Sequence, residues 1–352
     1  MITYTFEESI SIGGTCITDN PDDILFFDIE TTGLSPERSK LYLIGYGFRS
    51  GNKTVTELIF NDDGHSEKEM LSHFSEKLSH YKYLVSYNGE TFDIPYMRYK
   101  LKSYDIKDDA LSIQSIDVYK TTRKYKKLLG LDCVKQIDVE MISGFKRSSY
   151  ISGGELINAY RSYIKSRSEK LLADMLTHNH DDIRGLMSIC NFYNLSRLSD
   201  THHLTGIINQ ADCVEFTCSC PDIPCRIAFQ NDYIFFGAHK NIITIRAKKY
   251  TGTLNHYFKD YKNYYYLPLE DMAIHKSMAV YVDNEHKQKA TKETAYIAKA
   301  SCFLYSPKGF DGDLFQDTPN SKTAYVELCD SLLSTGDAAA NYIYLLIHEI
   351  LK

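Results

Sequence analysis

Two acidic residues, Asp28 and Glu30, alternate at the end of a short apolar run in the segment FFDIETTGL. On a β-strand, side chains two residues apart point to the same face and lie about 7 Å apart. Like charges at this range repel each other and raise each other's pKa unless a cation lies between them. Mg²⁺ and Mn²⁺ are hard divalent ions that accept carboxylate ligands. The pair therefore indicates a divalent-metal site, although exposed strands also carry alternating acids that bind nothing.

Two threonines, Thr31 and Thr32, follow the acids and precede Gly33. Their hydroxyls and the flexible glycine backbone could receive the end of a nucleotide chain beside the carboxylates. A structural turn explains the glycine equally well. Both threonines are therefore candidate substrate contacts, with a turn as the alternative.

Two further motifs each contain an acid. Residues 88–95 read NGETFDIP and include Asp93, and residues 178–186 read HNHDDIRGL and include Asp182. Together with FFDIETTGL, these motifs resemble, in the same order, the three motifs of the DEDD superfamily of 3′–5′ exonucleases. The resemblance extends over residues 22–195. Within the superfamily the chain is most similar to the bacterial YprB-like predicted exonucleases, through the third motif and the intervening segment SIDVYKTTRKYKKLLGLDCVKQ.

The resemblance implies a common role for the four acids. Asp28, Glu30, Asp93 and Asp182 would hold two divalent cations, Mg²⁺ or Mn²⁺. They would lie at one edge of a ribonuclease-H-like mixed sheet of about five strands flanked by helices. One cation would lower the pKa of an attacking water, and the other would stabilise the leaving 3′-oxygen of an in-line displacement. The expected activity is hydrolysis of phosphodiester bonds from the 3′ end of DNA or RNA.

The superfamily divides by the residue that activates the water, which is a His five residues before the last acid or a Tyr four residues before it. Here Thr177 occupies the first position and His178 the second, so the chain departs from both patterns. A histidine accepts a proton near neutral pH more readily than a tyrosine, because their ordinary pKa values are about 6.5 and 10. His178 is therefore the candidate general base, and simple packing against a helix neighbour is the alternative.

The net charge of −6 conceals an uneven distribution along the chain. Residues 119–170 contain more Lys and Arg than Asp and Glu, and four of these bases are candidate contacts to a nucleic-acid backbone: Arg123, Lys124, Lys126 and Lys127. Asn88, in the second motif, is a candidate contact to a phosphate or to its own loop. A solvated helix surface explains the basic residues equally well, since Lys runs are common on exposed faces.

Alternating strands and helices must position these motifs. Apolar runs and turn residues predict strands over residues 24–28, 41–49, 54–60 and 83–87. Helical spacing and capping residues predict helices over residues 66–78, 91–102, 115–127, 154–166 and 168–195. The sequence therefore predicts an α/β first domain over residues 1–200.

The pattern changes after Cys213 to short β-rich runs, then a helical stretch over residues 269–282, a strand over 295–305 and a helix over 337–352. Residues 201–352 are expected to form a smaller α+β domain of unknown role. The cysteines at positions 213, 218, 220 and 225 lack the usual paired spacing of zinc ligands, so unmetallated thiols are favoured. Tyr and Lys residues between 248 and 266 could stack on a single strand, but ordinary sheet packing is favoured.

No apolar run approaches the roughly 20 residues needed to cross a bilayer, and the N-terminal segment MITYTFEESISIGGT lacks a signal-peptide pattern. A cytoplasmic protein with reduced cysteines is expected, and its protein partners are unknown. Two alternatives to the exonuclease stay open. One is a nucleic-acid-binding protein that has lost turnover, motivated by the unusual third motif, and the other is a ribonuclease-H-type endonuclease acting on RNA–DNA hybrids.

Overall fold

The structure is a computed structural model that describes residues 1–9, 12, 17–199 and 202–352. The chain packs as two compact units. The first contains Met1–Arg197 together with Pro221–Arg226, and the second contains Leu198–Cys220 together with Ile227–Lys352. The domain division at residue 200 stays a prediction.

The first unit contains, within the described residues, a six-stranded mixed sheet. Its strands are β1 (Ile2–Glu8), β2 (Ile24–Thr31), β3 (Leu41–Ser50), β4 (Lys53–Phe60), β5 (Tyr83–Ser86) and β6 (Gln114–Asp117). They lie in the order β1-β4-β3-β2-β5-β6. Strands β1, β4, β3 and β2 are antiparallel neighbours, whereas β5 and β6 continue the sheet parallel to β2. The expected mixed α/β fold class is therefore confirmed.

Strand β2 lies in the interior of the sheet, between β3 and β5. Its first four residues, ILFF, are almost completely buried. A strand that is covered on both faces needs such a continuous apolar run. Asp28 and Glu30 are half-buried whereas Ile29 and Thr31 are buried, so both acids point to the same, more open face of the strand.

A β-bulge interrupts the pairing of β2 with β3. Glu30 pairs with Leu43 and Thr31 pairs with Leu41, which leaves Tyr42 as the extra residue of β3. Bulges redirect side chains and are frequent beside functional sites. The ring of Tyr42 is fully buried.

Helices cover both faces of this sheet. Those in the described part of the first unit are α1 (Glu67–Leu78), α2 (Asp93–Ser103), α3 (Val118–Lys124), α4 (Gln136–Ser143), α5 (Gly153–Ser166) and α6 (Glu169–Ile189). Helices α1 and α2 pack on one face, where Phe74 stacks on Phe27. Helices α5 and α6 pack on the other face, against Tyr42 and Phe60. The apolar residues of α1, α2, α5 and α6 therefore face the sheet.

Helix α6 approaches the sheet closely because glycine occupies a contact position on β3. A Cβ atom at Gly45 would lie only 1.9 Å from Oδ1 of Asn179 on α6. Real Cβ atoms do not approach an oxygen so closely, so any larger residue would push the helix or its side chain away. Gly45 thus fixes how near the third motif can come to β2.

The helix expected over residues 115–127 is wrong in its first turn. Residues 114–117 form strand β6, and the helix α3 begins only at Val118. The change occurs at Asp117, whose side chain accepts a hydrogen bond from the backbone N–H of Tyr119 and caps the helix. Because no Gly or Pro separates the two elements, the boundary leaves little trace in the sequence.

The second unit, in its described residues, contains two antiparallel sheets and a C-terminal helix α8 (Asp337–Ile350). The larger sheet has the order β14-β15-β13-β9-β8-β7 and consists of β7 (His203–Asn209), β8 (Cys213–Gln230), β9 (Ile234–Tyr257), β13 (Tyr296–Tyr305), β14 (Leu314–Phe315) and β15 (Tyr325–Glu327). The smaller sheet consists of β10 (Tyr264–Leu267), β11 (Met272–His275) and β12 (Gln288–Lys289). The unit is thus predominantly β.

The helix expected over residues 269–282 is also wrong. This segment contains strand β11 and a single helical turn, α7 (Lys276–Ala279). Leu269, Met278 and Val280 are exposed, so the apolar spacing does not create a buried helical face. No helix in the described residues is long and apolar enough to cross a membrane.

Candidate metal centre

Three elements bring the four predicted acids to one place. Strand β2 carries Asp28 and Glu30, the first turn of α2 carries Asp93, and α6 carries Asp182. Oδ1 of Asp93 accepts a hydrogen bond of 3.3 Å from the backbone N–H of Ile29, the residue between the two acids of β2. The second motif therefore lies directly against the first.

Asp28 is joined to α6 by a hydrogen bond. Nδ2 of Asn179 donates to Oδ2 of Asp28 at 2.7 Å. Asn179 is completely buried, and its own Oδ1 has no hydrogen-bond partner among the described residues. The asparagine of the third motif thus positions the first acid, a role that the sequence did not indicate.

Glu30, His178 and Asp182 form a compact group. Nε2 of His178 lies 3.1 Å from Oδ2 of Asp182 and 3.5 Å from Oε1 of Glu30. The hydroxyl of Tyr42 donates to Oε2 of Glu30 at 3.3 Å. One ligand atom from each of the three residues lies within 4.8 Å of the others. This group has the ligand types and the spacing that a divalent cation needs.

Burial gives the acids unusual proton affinities. Loss of solvent, followed by the nearby charge of Asp182, raises the pKa of Glu30 to about 8 and raises the pKa of Asp28 well above its ordinary value. Loss of solvent also raises the pKa of Asp93 to about 7. Without a cation, these carboxyl groups therefore retain protons that an exposed carboxyl group releases. A divalent cation would remove this cost, so the donor set fits such an ion.

A fifth acid, Asp117, supports the second motif. Its Oδ1 accepts a 2.7 Å hydrogen bond from the backbone N–H of Asn88, and its Oδ2 accepts one of 3.3 Å from Glu90. Asn88 has a left-handed backbone with φ of 63°, so this turn needs external support. Asp117 was not among the predicted site residues, because residue 117 was expected to lie within a helix. Strand β6 reads QSID and contains a single apolar residue, so no strong local signal marked this acid.

Arg147 is a second residue that the sequence did not single out. Its Nη1 atom lies 2.7 Å from Oδ1 of Asp182, and its Nε and Nη2 atoms both bond to the carboxylate of Glu140. The side chains of Arg147 and Glu140 are only 7% and 1% exposed. One base of the locally positive segment is therefore buried beside the acids rather than solvated.

The predicted substrate residues of the first two motifs are hydrogen-bonded within turns. Thr31 donates its hydroxyl to the carbonyl of Gly33, and the Thr32 hydroxyl accepts from the backbone N–H of Lys40. Both threonines thus close the turn that was the alternative interpretation. Asn88 has its backbone N–H bonded to Asp117.

The four predicted bases lie on α3 and immediately after it. Arg123, Lys124 and Lys127 are exposed, and Lys126 is half-buried. The guanidinium of Arg123 lies over the ring of Tyr119, and the Lys124 amine lies over that of Tyr125. In the described residues, the ion pairs of the four acids involve His178 and Arg147 rather than these four bases.

Comparison with known proteins finds a family model that matches the segment carrying the four acids. Residues 25–194 match a family model, RNase_H_2, described as RNase_H superfamily. A stretch of 88 residues is 32% identical to a DNA polymerase of Methanocaldococcus jannaschii, and it covers 23% of this chain and 5% of that protein.

Two solved structures illustrate the structural likeness. The family B DNA polymerase of Pyrobaculum calidifontis has 13% identity and a TM-score of 0.41, over 68% of this chain and 35% of the polymerase. E. coli exonuclease I in complex with a dT13 oligonucleotide has 13% identity and a TM-score of 0.31, over 61% of this chain and 54% of the exonuclease. The matched segment contains the four acids and His178, and its mixed sheet flanked by helices has a ribonuclease-H-like fold.

Proposed function

We propose that this protein is a divalent-metal-dependent 3′–5′ exonuclease of the DEDD kind, related to the YprB-like group and working in the cytosol on DNA or RNA. One observation carries the proposal. Four carboxylates from β2, α2 and α6 converge within a ribonuclease-H-like domain, and burial raises the pKa of three of them. Structural ion pairs do not need such an arrangement, whereas a site for two dications does.

Asp28, Glu30, Asp93 and Asp182 would hold two cations, either Mg²⁺ or Mn²⁺. When bound, the cations would make a water molecule a better nucleophile and would stabilise the charge on the leaving oxygen of the phosphodiester. The chain holds the acids in place before any ion arrives, because Asn179 fixes Asp28 and the Ile29 N–H fixes Asp93. Preorganised ligands lose little entropy when the ions bind.

His178 is proposed as the general base. Its Nε2 atom faces Glu30 and Asp182, which is the position from which it could take a proton from a water molecule held by these acids. Its Nδ1 atom is buried and has no partner among the described residues. The ring is therefore held by its contacts with the two carboxylates, and these contacts would orient it towards the reacting water.

Substrate contacts are proposed for the residues around the acids. Thr31 and Thr32, whose hydroxyls close the turn after β2, and Asn88 would lie near the 3′ terminus of the bound strand. The bases on and after α3, Arg123, Lys124, Lys126 and Lys127, would contact the backbone of the strand further from the reacting bond. Such contacts supply affinity without sequence preference.

A panel of labelled substrates tests the activity. It contains single-stranded DNA, duplex DNA, RNA and RNA–DNA hybrid, each with free or blocked 3′ ends, together with circular single-stranded DNA, all in the presence of Mn²⁺. We expect mononucleotides from free 3′ ends only, and none from Asp28→Asn. The matched control is Asp109→Asn, which changes an exposed carboxylate of the same unit.

The other results of this panel would decide against the exonuclease. Cleavage of circular substrates would indicate an endonuclease. Binding without cleavage that does not change in EDTA would indicate a protein that has lost turnover. Product release that is the same for the wild type and for Asp28→Asn would exclude these four acids as the catalytic site.

A further inference from the structure

The fourth acid, Asp182, is attached to a buried network outside the predicted site. Arg147 bonds Oδ1 of Asp182 at 2.7 Å and uses its other two nitrogen atoms for the carboxylate of Glu140. Oδ2 of Asp182 remains directed towards His178 and Glu30. The guanidinium thus selects which oxygen of Asp182 faces the metal site.

Glu140 is itself fixed against the backbone of α6. Its Oε1 accepts a 2.8 Å hydrogen bond from Nε2 of Gln136, which also donates to the main-chain oxygen of Asp182 at 2.8 Å. A Cβ atom at Gly185 would lie 1.8 Å from the same Oε1. Gly185 lies three residues after Asp182 on α6, and its lack of a side chain leaves room for the Glu140 carboxylate.

The loop that carries Arg147 is fixed by Asp181. Oδ2 of Asp181 accepts hydrogen bonds of 2.6 and 2.8 Å from the backbone N–H groups of Ser148 and Ser149. Asp181 is only 1% exposed. Two neighbouring residues of α6 thus hold the network. Asp181 bonds the backbone of the loop, and Asp182 bonds the guanidinium of Arg147.

We propose that Arg147 is a positioning residue that orients Asp182 for metal binding, with Glu140, Gln136 and Asp181 holding it in place. The proposal rests on the proposed function for the role of Asp182 as a ligand. Arg147 acts by orienting Asp182 rather than by its charge, because the charges of Arg147 and Glu140 balance. Partners that orient a metal ligand from behind typically contribute about 10- to 100-fold to metal affinity or activity.

A charge-balanced double variant, Arg147→Met with Glu140→Gln, tests the proposal. It removes both charges together, so neither Arg147 nor Glu140 is left as a buried charge without the other. Calorimetric titration of the full chain with Mn²⁺ should give a Kd about 10- to 100-fold weaker than that of the wild type. The matched control is Arg246→Met with Glu215→Gln, an ion pair of the second unit, which should leave the Kd unchanged.

The effect should act through Asp182 alone. In a protein that already carries Asp182→Asn, adding Arg147→Met and Glu140→Gln should therefore cause no further change in the Mn²⁺ Kd. A merely structural network would weaken binding in both backgrounds. A folded double variant with a Kd within about twofold of the wild-type value would overturn the proposal, because outer partners contribute more than that.

Two further results have a defined meaning: a double variant that does not fold, and a wild type that lacks activity or Mn²⁺ binding. If the double variant loses its circular-dichroism signal, Arg147→Lys decides, since a lysine keeps the charge but lacks the planar fork of donors that bonds both carboxylates in this geometry. A weaker Kd then supports the proposal, and a wild-type Kd overturns it. A wild type that binds Mn²⁺ but releases no nucleotide would reject only the nuclease activity, whereas a wild type that binds no Mn²⁺ would overturn both.

Discussion

Burial at Glu30 and Asp93 links the stability of the protein to pH. Their pKa values rise to about 8 and about 7, from 4.5 and 3.8, chiefly because both groups lose solvent. Between the ordinary and the raised pKa, the folded state binds protons that the unfolded state has released. The contribution of these two groups to stability is therefore fully present below the ordinary pKa values and is lost as the pH rises towards 8.

We expect the metal-free protein in EDTA to be less stable at pH 8 than at pH 5.5. One pKa unit corresponds to about 1.4 kcal/mol, so the loss should be at least about 1 kcal/mol, or about 2–4 °C in Tm. Thermal unfolding followed by circular dichroism measures it. Glu30→Gln should flatten this dependence, and saturating Mn²⁺ should reverse it. A Tm that rises between pH 5.5 and pH 8 would contradict the assignment.

His178 is tested by its separate effects on binding and on rate. Replacing His178 with Ala should slow hydrolysis by about 10²- to 10⁴-fold, because a general base acts in the transition state. The Kd values for Mn²⁺ and for an oligonucleotide should change little, because the acids hold the cations. The measurement is a pH–rate profile from pH 5 to 9 together with calorimetry.

The Tyr variant sharpens the test of His178. His178→Tyr restores the residue that one branch of the superfamily has at this position, and it should recover part of the activity with an optimum at higher pH, since a phenol has a pKa of about 10. Wild-type turnover of His178→Ala over the whole range would show that the water needs no help from this ring. A large loss of Mn²⁺ affinity would instead identify His178 as a metal ligand.

At the scale of elements, the distance between β3 and α6 determines whether the third motif reaches the first. Gly45→Ala should displace Asn179 from Asp28, and the overpacking should cost about 1–3 kcal/mol. Urea unfolding measures the loss, and turnover should fall with it. Gly154→Ala is the control, because a Cβ there meets nothing within 4 Å. Equal unfolding midpoints for Gly45→Ala and the wild type would show that α6 moves without cost.

The elements that carry the acids could be predicted because their local patterns are strong. The ILFF run marks a buried strand, and the apolar spacing of α6 places Asp182 on the face that packs against the sheet. Asp117 was not predictable in the same way, because a short strand passes into α3 without a turn residue. Arg147 was not predictable either, since it meets Asp182 through a tertiary contact that no local period encodes.

The net charge of the protein is negative, but some segments of the chain are locally positive. The net charge of −6 opposes a polyanion, so binding must depend on local positive segments. Neutralising Arg123, Lys124, Lys126 and Lys127 to Gln should weaken oligonucleotide binding more at low salt. Each lost phosphate contact should reduce the slope of log K against log salt by about 0.7 for a single strand. Fluorescence anisotropy at several salt concentrations measures the slope.

A matched quadruple variant controls for the loss of charge alone. It neutralises four exposed lysines elsewhere in the chain: Lys102, Lys107, Lys308 and Lys322. Its salt slope should equal that of the wild type. If both quadruple variants behave alike, the four bases on and after α3 belong to a solvated surface.

Several aromatic residues of the second unit contact one another. Tyr264 stacks on Phe258 with 4.0 Å between the ring centroids, and the hydroxyls of Tyr266 and Tyr296 both donate to Asp271. These contacts favour ordinary sheet packing over a stacking platform for bases, as the sequence had indicated. The acids of the proposed site all belong to the first unit, so the role of the second stays open to experiment.

The bulge at Tyr42 restricts how the length of this region can vary in evolution. Regular strands tolerate changes in loop length, but a one-residue change within a strand turns every following side chain to the opposite face. Deletion of Tyr42 would restore a regular ladder between Glu30 and Thr31, and it would also remove the hydroxyl that donates to Glu30. Insertions and deletions should therefore be confined to the turn between β2 and β3, while the first residues of β3 keep a fixed length.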